Sequence, residues 1–271
     1  MTRRTRVGLA SCLVALLAAA GAASGGQGPA VAPPKDPQTM RAAAVLEAAT
    51  EALGGPRYLA VTSQVSTGVF TQFVQGQRGL PAEFVDTFVF PDRNRTEFGK
   101  KKSRVVQSNS GTTGWKFEAL RQTLEPQSPE EVAAFQRYVR ANLDNVLRAQ
   151  WRQPGVEVAY VGRLELAPRQ WAEGVEIRYA DGFRVEVYVD PQTHLPVASR
   201  YWEGSESGAP GSMLETRYFF WLDHGGVRAP RTVDLYRDQV QTARIVYDSV
   251  AFNAAVDPKV FVQPASAKDL K

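Results

Sequence analysis

Between residues 156 and 250 the sequence runs through successive segments that alternate apolar and polar residues, and this series constrains the fold more than any other feature. The segments are 156–162, 174–179, 183–189, 195–202, 214–222, 228–236 and 241–250. In one of them Phe183, Val185, Val187 and Val189 oppose Arg184, Glu186, Tyr188 and Asp190, the two-residue period of a strand with two unlike faces. Turn residues punctuate the series: Ala180-Asp181-Gly182, Asp190-Pro191-Gln192-Thr193, His224-Gly225-Gly226 and Asp238-Gln239. Connections of about two to six residues leave no room for crossover helices, so neighbours are antiparallel. Residues 58–118 have the same character. Alternating runs at 61–69 and 84–90 are followed by shorter ones at 95–98, 104–107 and 113–117. The expectation is a mainly β (α+β) fold with about eleven strands in one large curved antiparallel sheet. No internal repeat of fixed period points to a propeller.

Two helices accompany the strands. Ala42, Val45, Leu46, Ala49 and Leu53 recur at helical spacing over 39–53, and Gly54-Gly55 stop the run. Ser128-Pro129-Glu130-Glu131 is a capping box with proline at the first helical position. It opens an expected helix over 129–148 with an apolar stripe of Val132, Phe135, Tyr138, Val139, Leu143, Val146 and Leu147.

The beginning of the chain reads as an export signal. Arg3, Arg4 and Arg6 precede an apolar run from Val7 to about Ala23, which closes in small residues with cleavage expected after Ala22 or Ser24. An uncleaved anchor is the alternative, since the run almost reaches bilayer-spanning length. A lipidation box ending at Cys12 would have to close the apolar core, yet Leu13 to Leu17 continue it. Residues 25–38 form a Gly- and Pro-rich tether, and 39–271 are expected to form a single domain.

Removing the signal changes the charge argument. The chain has 32 basic and 28 acidic residues, and the first 24 positions hold three arginines and no acid, leaving 29 against 28. No electrostatic footprint for nucleic acid remains. The cluster Lys100-Lys101-Lys102 with Arg104 falls between two strands, as a solvated hairpin tip would. Cys12 is the one cysteine, so the exported part has neither disulfides nor cysteine-based metal sites.

A curved sheet of this size encloses space that its own side chains do not fill. Two helices laid on the concave face would leave an apolar pocket. Candidate lining residues are Phe70, Phe88, Phe90 and Trp115 on strands, with Phe135, Tyr138, Val139 and Leu143 on the covering helix. Phe219-Phe220-Trp221 place large apolar groups on both faces of one strand, which demands cover on both sides or a partner.

Three short signatures carry a family resemblance. They are Ala52-Leu53-Gly54-Gly55 before the first long strand, the hairpin from Val189 to Val197, and Gly225-Gly226-Val227-Arg228-Ala229-Pro230 between two late strands. In this order, after a signal sequence, the chain resembles the LolA-like superfamily of periplasmic lipoprotein carriers over about residues 39–262. The resemblance implies an unclosed β-barrel covered by a helical lid, periplasmic location, and an apolar cavity for lipid or the acyl chains of lipoproteins. It admits an envelope-protein partner and transient membrane contact, and it calls for no cofactor.

Catalytic chemistry finds little support. His194 and His224 both fall in turns without a second histidine at ligand spacing, so no metal site is expected. His224-Gly225-Gly226-Val227 has the look of an esterase oxyanion loop, but no Gly-x-Ser-x-Gly elbow accompanies it; Gly204-Ser205-Glu206-Ser207-Gly208 carries glutamate at the serine position. The expectation is a protein that is not an enzyme. A sensor or scaffold of the same fold, and a hydrolase with an unrecognised site, are the alternatives.

Overall fold

A computed structural model describes residues 36–203 and 211–270; the export signal, most of the tether and the polar loop at 204–208 lie outside the described residues. The first helix, α1 (Pro37–Ala52), begins two residues before the expected start, because Asp36 caps it by accepting from the Thr39 amide at 3.3 Å. A one-turn helix that the periodicity does not reveal, α2 (Pro56–Leu59), follows.

Among the described residues fourteen strands form one antiparallel sheet, against the expected eleven or twelve. The first seven are β1 (Ser63–Val74), β2 (Gln77–Arg78), β3 (Ala82–Val89), β4 (Arg93–Phe98), β5 (Val105–Ser110), β6 (Thr113–Glu118) and β7 (Thr123–Pro126). Then come α3 (Pro129–Ala141) and α4 (Leu143–Arg148). The remaining strands are β8 (Glu157–Ala167), β9 (Gln170–Arg178), β10 (Arg184–Val189), β11 (Pro196–Glu203), β12 (Ser212–Asp223), β13 (Arg228–Arg237) and β14 (Val240–Phe252). The two additional strands, β2 and β7, are too short to show a periodic signal.

The strand order is β7-β6-β5-β4-β3-β1-β14-β13-β12-β11-β10-β9-β8, with β2 paired to β1 alone. Most neighbours in the sheet are consecutive in the chain; β1 pairs with β3 past the short β2, and at one seam β1 pairs with β14 and joins the early half of the chain to the late half. The edges are β7 and β8, and the chain crosses from one to the other through α3 and α4. The sheet is an unclosed barrel, and the helices lie across its open side.

The crossing is two helices where the apolar stripe predicts one. Asn142 leaves the helical region at φ −59° and ψ 124°, ending α3, and its side chain caps α4 by accepting from the Asn145 amide at 3.2 Å. An asparagine side chain competes for backbone amides in this way, which apolar periodicity cannot show. The capping box at Ser128 and Glu131 forms as expected. Glu131 then meets Lys116 on β6 at 3.0 Å, Arg137 meets Glu203 on β11, and Arg140 meets Asp181 in the β9–β10 turn. Three ion pairs thus spread α3 over strands from both halves of the sheet.

The main core lies on the inner face of β9 and β10. Val175, Ile177, Val185, Val187 and Val189 are buried there against α1, α4 and Trp151. Two of the sequence signatures meet beside it. Gly54 adopts φ +131°, and a β-carbon on it would stand 2.3 Å from the Gly226 carbonyl oxygen; the Arg228 amide donates to Leu53 O at 2.9 Å. The end of α1 is thereby seated on the β12–β13 turn.

Candidate ligand cavity

Cross-strand register settles which side chains face inward. Phe84, Asp86 and Phe88 on β3 stand opposite Gly68, Ser66 and Gln64 on β1, and these in turn stand opposite Tyr247, Val250 and Phe252 on β14. Val233 and Leu235 of β13 pair with Tyr218 and Thr216 of β12, and Ser199 of β11 shares their face. Where this inner face is not filled by α1 and α4, a cavity of about 190 Å³ remains between the sheet and the α3–α4 junction. That is far above the ~10–15 Å³ a single water needs. Its walls are mostly apolar or aromatic: Phe88, Phe90, Tyr201, Tyr218, Trp221, Val233, Leu235, Ile245, Tyr247, Val250 and Phe252, with Tyr138 and Leu143 from the helices.

Of the eight candidate residues, Phe88, Phe90, Tyr138 and Leu143 line this cavity. Phe88 and Phe90 pack with their rings tilted by 42° and centroids 4.7 Å apart, and Tyr138 approaches Phe88 edge-on at 6.5 Å. Phe135 is buried under α3, 6.3 Å from the Tyr138 ring, and Val139 is half-buried on the same helix. Phe70 is on the inner face farther along β1, packed against Phe98 at 5.5 Å. Trp115 is on the other side of the sheet. Ser108 and Arg95 stand opposite it in succession, placing it on the outer face, where its indole donates to Phe261 O at 2.8 Å. There it packs with Val106, Phe117 and Leu270 beneath the C-terminal segment.

Several cavity residues escaped the sequence reading. Tyr201, Tyr218, Ile245 and Tyr247 occupy alternating positions of strands that were recognised, but nothing in one strand tells which of its faces is concave. Trp221 turns inward because Phe220 takes φ +57°, which resets the alternation of β12 and leaves Phe220 72 % exposed. The Trp221 indole donates to Pro196 O at 3.0 Å. Asp86 carried a visible signal, an acid between Phe84 and Phe88 on an aromatic face.

The polar groups of the cavity feel its low polarity. Burial pushes the Tyr201 hydroxyl up to about 12 and raises those of Tyr218 and Tyr247 above the ordinary tyrosine value; desolvation raises the Tyr138 hydroxyl as well, although that residue is 44 % exposed. Burial also raises the Asp86 carboxyl, against the hydrogen bonds from Thr96 Oγ1 and Asn94 Nδ2 that lower it. Tyr218 shares a 2.8 Å hydrogen bond with Ser199, and Tyr138 accepts one from Asn142 Nδ2 at 3.2 Å. Such a space can hold apolar chains and present a few polar atoms to one end of them. Among the described residues no cluster of three or more potential ligands could hold a metal ion, and no helix is long and apolar enough to cross a membrane.

Solved structures with a similar backbone include the three that follow. A LolA superfamily protein from Nitrosomonas europaea matches with a TM-score of 0.51 at 13% identity, over 82% of this chain and 97% of that one. The fold is LolA-like. A DUF1329 family protein from Desulfovibrio piger shares it with a TM-score of 0.55 at 12% identity, over 82% and 97% of the two chains. A candidate outer membrane lipoprotein-sorting protein domain from Vibrio parahaemolyticus matches with a TM-score of 0.51 at 11% identity, over 81% and 97%. No family model and no curated protein matches the sequence. At these identities the likeness extends to the LolA-like fold alone.

Proposed function

We propose that this chain is an exported, non-catalytic carrier or binding protein of the periplasm, sheltering acyl chains of a lipid or lipoprotein in its cavity. The observation that carries this reading is the unfilled apolar space between the inner face of the sheet and the α3–α4 junction. The LolA-like fold, shared with a candidate lipoprotein-sorting domain, supports it. Export rests on the basic, apolar and small-residue sequence of positions 1–24. Its check is the intact mass of protein from the envelope fraction, expected to begin near Ala23 or Gly25. Full-length mass would refute cleavage.

Chains entering the cavity bury methylenes at about 0.8 kcal/mol each. Affinity therefore climbs with chain length until the space is full, and responds weakly to salt because the exported part has nearly balanced charge. Titration of delipidated protein with lysolipids of increasing length, read by tryptophan fluorescence from Trp221 in the cavity wall, tests this. A response independent of chain length removes the proposal, and Trp221→Phe shows whether the signal arises in the cavity.

A second reading, a scaffold that binds another envelope protein, draws on one observation. Phe220 is 72 % exposed beside Phe219, with ring centroids 6.4 Å apart, on a strand whose Tyr218 and Trp221 line the cavity. Loss of partner capture by Phe220→Ser, with lipid titration unchanged, would favour it.

A further inference from the structure

Asp86 is anomalous among the enclosed carboxylates of this fold. Glu215, 3 % exposed, is held by Arg200 and Arg217; Asp234, 2 % exposed, receives two hydrogen bonds from Arg244 at 2.6 and 2.7 Å. Asp144, which also lines the cavity, has Arg148 at 3.4 Å. Each carries a cation, as enclosed charge requires. Asp86 faces the cavity with no ion-pair partner among the described residues. Both of its neutral donors, Thr96 Oγ1 at 2.5 Å and Asn94 Nδ2 at 2.9 Å, use the same oxygen, Oδ1. No donor within the described residues reaches Oδ2. Ser66 stands directly opposite Asp86 on β1 and is fully buried, yet its hydroxyl has no partner either. The remaining charged or titratable groups of the wall are the four tyrosines, which are neutral, and Arg228, which is exposed. One carboxylate oxygen in an apolar space is therefore left to whatever occupies it.

We propose that Asp86 is the polar anchor of the cavity and that the occupant is a long-chain ligand whose head offers N–H donors, an ammonium or an amide, rather than a carboxylate or a phosphate. The inference rests on the reading of the cavity as an acyl-chain shelter and adds to it which head the chain carries. An ammonium supplies both a hydrogen bond and the missing countercharge. An amide supplies the hydrogen bond alone, and an anionic head places like charges together where little water screens them.

Titration calorimetry of delipidated full-length protein at neutral pH compares dodecylamine, dodecanamide and dodecanoic acid, which share one chain length. The amine is expected to bind about tenfold or more tightly than the acid, with the amide between them. If amine and amide bind alike, the hydrogen bond rather than the charge selects the head, and the N–H assignment stands. Asp86→Asn keeps an acceptor for Thr96 and Asn94 but removes the charge. It should abolish the advantage of the amine while the acid binds at least as well as before. Equal affinity for amine and acid in the unaltered protein overturns the anchor, and that contrast needs no variant. A preference that survives in Asp86→Asn overturns it too. In both cases the acyl shelter stands, whereas no binding of any of the three removes shelter and anchor together.

Discussion

Asp86 also shapes how stability depends on pH. Its carboxyl is raised in the folded state by burial, so the folded protein holds that proton more tightly than the unfolded chain does. The stabilising contribution of this proton is complete below the ordinary aspartate value of 3.8 and is lost as pH rises through the higher folded value. Asp86→Asn is expected to raise the melting temperature at neutral pH, with the gain shrinking as pH falls into the range below 3.8. Paired melts of the two proteins across that range check it, and a gain that grows on acidification would contradict the assignment. The opposite case is Asp181, whose carboxyl is lowered by the Arg140 hydrogen bond. At this scale the sequence was only half legible. Asp86 was not singled out, although it alternates with Phe84 and Phe88, and Trp115 was expected to line the cavity. Alternation places Trp115 and Phe117 on one face of β6, and only the strand register and the covering tail decide that this face is the outer one.

Among the elements, α3 offers the most direct tests. Ser128 and Glu131 satisfy each other's backbone amides, so Ser128→Ala should cost on the order of 1 kcal/mol. Phe135 is 9 % exposed between the helix and the sheet, and Phe135→Asp would place an unpaired charge there at a cost of several kcal/mol. Denaturant midpoints measure both, and the second change should far exceed the first. The start of this helix was readable because a capping box is a local signal. Its break was not. Asn142 sits within an unbroken apolar stripe, and the turn there depends on one side chain reaching the Asn145 amide. The short strands β2 and β7 were invisible for a related reason, since they exist through pairing with β1 and β6 and have no pattern of their own.

The whole molecule depends on one seam. β1 and β14 come from opposite ends of the domain, and Gly68 lies where their register shifts by a residue. A β-carbon at Gly68 would stand 2.2 Å from Val246 O and 3.0 Å from the Phe84 ring. Gly68→Ala should therefore destabilise by about 2–3 kcal/mol. Because the seam joins the halves, the loss should appear as one cooperative transition moved to lower temperature. Two separate transitions in calorimetry would mean that the halves melt independently. The general architecture was legible early because short turns between alternating runs permit little else than antiparallel neighbours. The pairing of first strand with last was not, since no local pattern records a contact between residues so far apart.

One feature of the crossing has a mechanical meaning. The segment between β7 and β8 is fixed at both ends by covalent continuity with the two edge strands, and α3 within it is a rod of 13 residues, about 20 Å long. Ion pairs from Glu131 to β6 and from Arg137 and Arg140 to β11 and the β9–β10 turn fasten that rod to both halves of the sheet. Spreading the two halves apart would load those pairs first, and the chain next at Asn142, where α3 ends.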